Sequence, residues 1–492
     1  MTRRYCWSLL LLILCVAPAT VRAQTVYDTT RVNGTPAVIV TEAAGAGISP
    51  KGSSASSVTW TSDYTWILDG HVFVNEGQLL MIEPGTVVKG RPATDTRPPS
   101  ALIVAQGGQI FARGTAEQPI IFTTTKDDLT TTDDLPSTFR GGWGGVVLLG
   151  RAPLNTYPNV LNVELLSVGE PRSVYGGQNP DDSSGILRYV SIRYGGTSSG
   201  NPNESTTPEY NGLTLAGVGQ GTTIEYVETY KSRDDGVEWF GGTVDVRYLV
   251  SAFAEDDALD MDQGYRGRGQ FWLVLQGSVS ADRAAEMDGG DASFGGEDRK
   301  PYATPIIFNA TLIGSGLDGA GGTALFFRDN FAGSLYNSIV ASFPETVVRI
   351  EDVPTTRSGD SWARFRQGTI RIAGNLFHEA GGAFSAGTGS AMRGLVGNQG
   401  TLGDSLAAYL QRNNTVATQP PYQNLSRNSY GQLTSLNLRA TGPATSLPGI
   451  EEPSGFFRDV NYVGAFGSKD WAAGWTFIGT GGTAYPGLQL LE

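Results

Sequence analysis

The residues best suited to chemistry lie in an acidic repeat. Arg233-Asp234-Asp235-Gly236-Val237-Glu238-Trp239-Phe240 returns one period further on as Glu255-Asp256-Asp257-Ala258-Leu259-Asp260-Met261-Asp262. In a solenoid of short strands, residues one period apart occupy neighbouring parallel strands, about 4.8 Å apart. Asp234 then stacks on Asp256, Asp235 on Asp257 and Glu238 on Asp260. Like charges directly opposite repel, so a cation, backbone donors at the turn or raised pKa values must compensate. Calcium takes roughly six to eight oxygen ligands, from carboxylates, carbonyls and water. Asp234, Asp235, Glu238, Asp256, Asp257, Asp260 and Asp262 are therefore candidate ligands, with Glu286, Asp288 and Asp291 in the following loop. The plainer alternative is that these acids cap turns by accepting backbone hydrogen bonds.

A second chemistry is open to the same segment. Lys231, Arg233, Arg266 and Arg268 flank the acids and could act as a base or as a clamp on a sugar carboxylate. Carboxylates roughly 5 to 9.5 Å apart would suit glycoside hydrolysis. Tyr230 and Phe240, with Tyr189, Tyr226 and Tyr248, alternate with acids on the expected outer surface and could stack on sugar rings. An aromatic ladder that merely stabilises stacked coils is the competing account. The two histidines, His71 and His378, lie away from the repeat.

The elements that must position these side chains follow from the rest of the repeat. Leu187, Val190 and Ile192 align with Ile224, Val227 and Thr229 and with Val246, Leu249 and Ser251. This i, i+3, i+5 spacing breaks strict alternation once, as where two short strands meet at a bend and both turn a side chain inward. Val237 and Trp239, over Leu259 and Met261, should also face the core, while Arg188, Glu225 and Arg247 form an outward column of alternating sign. Thr311-Leu312-Ile313 recurs as Ser338-Ile339-Val340 at a wider spacing than the acidic repeat, so coil length varies, and the extra residues fall in loops such as 195–210 and 281–301.

Residues 1–23 read as a secretory signal peptide: Arg3 and Arg4, an apolar run from Trp7 to Ala17, then Val21-Arg22-Ala23. Residues 24–59 read as a polar leader with one strand at Ala37-Val38-Ile39-Val40, residues 60–380 as the solenoid, and residues 381–492 as a C-terminal capping region. Asp404 to Leu410 has the cap and spacing of one short helix. Both cysteines, Cys6 and Cys15, precede the expected cleavage point, so the mature chain has no thiol chemistry. Cleavage lowers Lys and Arg from 35 to 32 against 48 Asp and Glu, a net charge of −16. That balance argues against nucleic acid or an anionic membrane as partner. No later segment is apolar enough to cross a bilayer as a helix.

Two blocks make the reading more specific: Trp66-Ile67-Leu68-Asp69-Gly70-His71-Val72-Phe73-Val74, continuing to Glu83-Pro84-Gly85-Thr86-Val87-Val88, and Leu102-Ile103-Val104-Ala105-Gln106-Gly107-Gly108-Gln109-Ile110. With Gly141-Gly142-Trp143-Gly144-Gly145 and the Asp-Asp repeats, the chain resembles secreted bacterial proteins of the pectin-lyase-like superfamily. It is most similar to an uncharacterised exported family found mainly in Bacteroidota, over roughly residues 60–480. The resemblance implies an all-β, right-handed parallel β-helix, a single-stranded β-solenoid with irregular loops. It also implies a C-terminal closure built on Tyr462-Val463-Gly464-Ala465-Phe466 and Trp471-Ala472-Ala473-Gly474-Trp475-Thr476. The expectation is an exported, extracellular or cell-surface monomer. It is carbohydrate-associated and non-catalytic, with a polysaccharide as partner, Ca2+ at the stacked Asp-Asp turns and no organic cofactor. The alternative is a calcium-assisted polysaccharide lyase or a glycoside hydrolase acting on an acidic glycan. The Asn-Thr-Asp and His-Gly motifs of such hydrolases are absent from the sequence.

Overall fold

The computed structural model describes residues 28–32, 34–41, 57–94, 97–130, 134–166, 169–197, 209–278, 281–316, 322–353, 360–380, 395–429 and 431–479. The expected signal peptide lies outside them. The chain winds as a parallel β-helix in which each coil hydrogen-bonds to the next. The register matches the sequence repeat: Leu187, Val190 and Ile192 pair with Ile224, Val227 and Thr229, and these with Val246, Leu249 and Ser251. The expected bend is a single residue in the left-handed region, Tyr189 (φ 49°), Tyr226 (56°), Tyr248 (57°) and Phe271 (60°) in successive coils. That conformation turns the strand, so the residues on both sides of it point inward. It is uncommon for aromatic residues. Here the rings stack, with centroids 4.3, 4.2 and 5.0 Å apart, an interaction that offsets part of the backbone cost.

Asn309 (53°) and Asn337 (50°) take the same bend in later coils. Counted from these bends, Thr311 pairs with Ile339 rather than with Ser338. The alignment of Thr311 with Ser338 is thus one position short. The similar side chains of the two residues suggest it, whereas the backbone of the bend sets the register.

A separate nine-stranded parallel sheet runs in chain order from His71–Val74 through Leu213–Ala216, Val237–Phe240, Leu259–Asp262 and Arg283–Asp288 to Thr346–Ile350. Its inner row, including Leu215, Trp239, Met261 and Phe327, is buried in the core shared with the bent strands. Its outer row changes character along the axis. Phe73, Ile103 and Val147 pair in sequence with Thr214, which pairs with Glu238, then Asp260, Glu286, Phe326 and Arg349. The apolar part is covered by an excursion over residues 151–182, whose Leu154, Leu161, Val163, Leu165 and Tyr175 pack on Phe73, Ile103, Val147 and Phe240. The acidic part begins where this cover ends.

The strand expected at Ala37–Val40 lies in Thr35–Thr41, which pairs with Thr65–Asp69 and, through a hairpin, with Asp28–Val32. Near the other end, the helix Gly400–Asn413 buries Leu406, Ala407 and Leu410 against the last coils. It starts one turn ahead of Asp404, and its cap residue Gln399 makes no side-chain cap bond. The chain then returns along the bent strands as a strap. Ile450 exchanges hydrogen bonds with Asn337 (2.7 and 2.8 Å), Arg458 with Gln270 (both 2.8 Å), and Phe477 donates to Glu228. Trp471 and Trp475 meet the tyrosine column edge-on, at 5.2 Å from Tyr248 and 5.7 Å from Tyr189.

Candidate metal centre

The turn before each outer acidic strand is built on one repeated bond. The Asn211 Oδ1 accepts the Asp235 N–H at 3.2 Å, the Asp235 Oδ1 accepts the Asp257 N–H at 3.0 Å, and the Asp257 Oδ1 accepts the Arg283 N–H at 2.5 Å. Each side chain thereby holds the start of the next coil. Asn211-Gly212, Asp235-Gly236 and Asp257-Ala258 stand at equivalent places, and the small residue is required. A Cβ on Gly236 would lie 2.0 Å from Ser251 Oγ and 2.5 Å from the Ala258 carbonyl oxygen. The turn-capping reading and the stacking reading are therefore both correct for Asp235 and Asp257. Capping uses one carboxylate oxygen; the other is left to the cleft in Asp235 and meets the Arg283 guanidinium in Asp257.

The cleft, of about 210 Å³, is lined by Glu209, Asn211, Asp234, Asp235, Glu238, Asp256, Asp257, Asp260, Asp282, Arg283 and Glu286. Three groups bring carboxylate oxygens within 4.8 Å of one another: Asp234 with Asp235 and Asp256, Asp235 with Glu238 and Asp260, and Asp256 with Asp257 and Asp282. Asp235 belongs to two of them, so it joins the outer mouth to the floor. Asn211 Nδ2 donates to Glu238 Oε2. The Asp260 Oδ1 is buried with no donor. Among the described residues no Lys or Arg pairs with Asp234, Asp235, Glu238, Asp256 or Asp260.

Charge is balanced only at the end toward the later coils. Arg283 reaches Asp257 (3.3 Å), Asp282 (2.7 Å) and Glu286 (3.0 Å). Arg328 reaches Glu286 and Asp288 (both 3.2 Å) and Asp329 (2.9 Å). Burial, and then neighbouring carboxylates, push acids up, including Asp257 and Asp288 beside these arginines. Asp234 is raised to about 7 by burial and by Glu209 and Asp256. Glu164, brought in by the excursion, is raised to about 8 by burial and by Glu209, Asp234 and Asp262. Asp262 is raised to about 7 and Asp288 to about 9, in each case first by burial. Asp235, Glu238, Asp257 and Asp260 lie well above the carboxylate range for the same reasons. Such a set either keeps protons or takes a cation. All its donors are hard oxygens, and the fit is to a divalent ion of the calcium class.

The flanking residues go elsewhere. The buried Lys231 ammonium donates to the Ser137 carbonyl at 2.8 Å. Arg268 is bidentate on Asp245, and Arg266 donates to the Gly264 carbonyl at 3.3 Å. Arg233 is exposed and packs beside Gly141. Tyr230 is buried against Phe477 of the strap, and Phe240 lies beneath the excursion. Asp262 lies outside the cleft, paired with Phe240 in the neighbouring outward row and repelled by Asp288 and Asp291. Of these residues only Arg233 stays exposed, and the strap and the excursion cover the aromatic residues that a bare solenoid would expose.

Sequence reasoning missed Asn211, Glu209, Glu164 and Arg283. Asn211 had a readable signal, since Asn-Gly before Leu213-Thr214-Leu215 has the pattern of Asp-Gly before Val237-Glu238-Trp239. Glu164 arrives from a segment with no repeat to align.

A parallel β-helix with a carboxylate-lined cleft on one sheet defines the class of protein. The match of a sequence family then places it: the chain belongs to the family of the pectate-lyase-like β-helix domain, which matches residues 52–391. No curated protein and no solved structure matches the chain.

Proposed function

We propose that the protein is an exported, carbohydrate-associated β-helix, non-catalytic, whose acidic cleft takes a divalent cation. One observation carries the cation: Asp235, Glu238 and Asp260 each bring a carboxylate oxygen within 4.8 Å of the others, the Asp260 Oδ1 is buried with no donor, and no base among the described residues neutralises them. Carbohydrate association is supported by membership of the family, and export by the N-terminal sequence pattern. The non-catalytic reading is supported by the state of the one arginine in the cleft. Burial lowers the Arg283 pKa, but Asp257, Glu286 and Asp282 outweigh it and hold the guanidinium charged, a poor state for a base. The site would bind and orient an acidic chain through the cation rather than cleave it.

Calcium titration of metal-stripped protein, followed by calorimetry and thermal melting, tests the cation. A ligand at about 100 times its Kd stabilises the folded state by roughly 2.7 kcal/mol. Heat of binding and a higher Tm, both lost in Asp260→Asn, are expected. Neither heat nor a Tm change in the wild type would refute the site.

A further inference from the structure

The exposed apolar side chains are not scattered. Five large hydrophobic residues are exposed among the described residues, and three of them, Tyr157, Val160 and Phe294, belong to two loops that meet. The Tyr157 N–H donates to the Phe294 carbonyl at 2.6 Å, and Asn155 Nδ2 donates to the Gly289 carbonyl at 2.5 Å. Gly289 directly follows Asp288, so this joint forms one edge of the acidic face. Tyr157 keeps 71 % of its surface open.

A cation is held against this ring. The Arg299 guanidinium lies 5.2 Å from the Tyr157 ring centre. Gly295, at φ 109°, makes the room: a Cβ there would come within 2.7 Å of Arg299 Cδ and 3.2 Å of Tyr157 Cβ. Arg299 differs from its neighbours in lacking an anion. Arg283 and Arg328 each touch three carboxylates. Among the described residues Arg299 has none, and its Nε is buried without an acceptor. Exposed Lys300 follows it. Glu297 and Asp298 precede this pair in the chain, so the corner sets an unpaired guanidinium and an open ring at the edge of an acidic face.

An open aromatic face beside an unpaired guanidinium matches a ligand with two parts. The C–H face of a sugar ring covers the aromatic surface, and an anionic substituent takes the N–H edge of the arginine. We propose that Tyr157, Phe294 and Arg299 form a subsite for an anionic sugar residue, bearing a carboxylate or a sulfate, outside the acidic cleft. The subsite rests on the carbohydrate-associated reading and gives it a ligand class and a place of contact. It is separate from the basic and aromatic residues that flank the acids of the repeat, of which only Arg233 stays exposed.

The test is calorimetry of the full chain with three probes: a galacturonate tetramer, a sulfated galactose tetramer and a neutral galactose tetramer, each with and without calcium. Tyr157→Ala should fold, because most of that side chain is in solvent. The expected result is binding of a charged tetramer, weaker binding of the neutral one, and about tenfold loss in both Tyr157→Ala and Arg299→Gln, the scale of one lost stacking or charged contact. Whichever charged tetramer binds identifies the anion. Equal binding of the neutral tetramer would overturn the anionic class. Affinity unchanged in both variants but lost in Asp260→Asn would place the sugar in the acidic cleft, overturning the subsite and leaving the carbohydrate reading intact. Failure of the wild type to bind any tetramer would overturn both.

Discussion

Asp235→Asn removes one charge from the acidic cleft while keeping its hydrogen bond. The amide oxygen can still accept the Asp257 N–H, as Asn211 already does one coil earlier. Two ionised carboxylates whose oxygens lie within 4.8 Å of each other, at an effective dielectric constant of about 20, repel by about 3.5 kcal/mol at that outer limit. The pKa directions fix the sign. A carboxyl whose folded pKa is raised binds more protons folded than unfolded, so cation-free stability falls as pH rises between the two values. The window runs from the ordinary value of 3.8 to about 7 for Asp234 and from 4.5 to about 8 for Glu164. Metal-free wild type should therefore melt highest at mildly acidic pH and lose stability toward pH 8. Asp235→Asn should match it in acid and exceed it at pH 8. Unfolding entropy of about 2.1 cal/mol/K per residue makes the gain roughly 3 to 4 °C for a chain of this size. Calcium should raise the wild-type Tm and restore little in the variant. The assay is thermal melting by circular dichroism across pH, with chelator or with calcium. If Asp235→Asn melts below the wild type by the same amount at every pH, the charge is not the governing term and the repulsion argument fails.

Two further perturbations probe the scaffold. Glu228 is fully buried, its pKa is raised by that burial, and it accepts the Phe477 N–H at 2.8 and 2.9 Å and the Ser191 hydroxyl at 2.5 Å beside Arg193. Glu228→Ala leaves the Phe477 and Ile478 N–H groups without their acceptor and should cost roughly 1 to 3 kcal/mol, with limited proteolysis cutting first within residues 450–479; a strap as resistant as in the wild type would contradict this. Gly236→Ala should destabilise by more than about 2 kcal/mol in denaturant unfolding, since its Cβ meets a backbone oxygen; a neutral result would mean that the coils can slide apart locally.

The fold was legible because stacking writes itself into sequence. A coil of constant length repeats its column of side chains at that interval, and the offset from Asp235 to Asp257 predicts their pairing and that of Glu238 with Asp260. The bend was legible as a break in alternation at Tyr189, Tyr226 and Tyr248. Legibility stops where coil length changes. Arg283 follows Asp257 by 26 positions, where Asp257 follows Asp235 by 22, so its place on the ladder is invisible to a fixed period. It stops again where a side chain's neighbours are far away in the chain. The tyrosine column has the outward spacing of a binding surface, and only the strap, drawn from the far end of the chain, shows that it is a covered one.

That strap bears on the order in which the molecule is completed. A solenoid grows by local contacts, and each coil needs only the one before it as a template. The strap contacts are different: Glu228 and Phe477 are 249 residues apart. While the chain is extended from one end, the coils around Tyr189 to Phe271 must exist with their aromatic column bare until Trp471 and Trp475 have been made. Between those two moments the nascent coils present an adhesive stripe, and the late segment that masks it also couples coils that would otherwise melt one at a time.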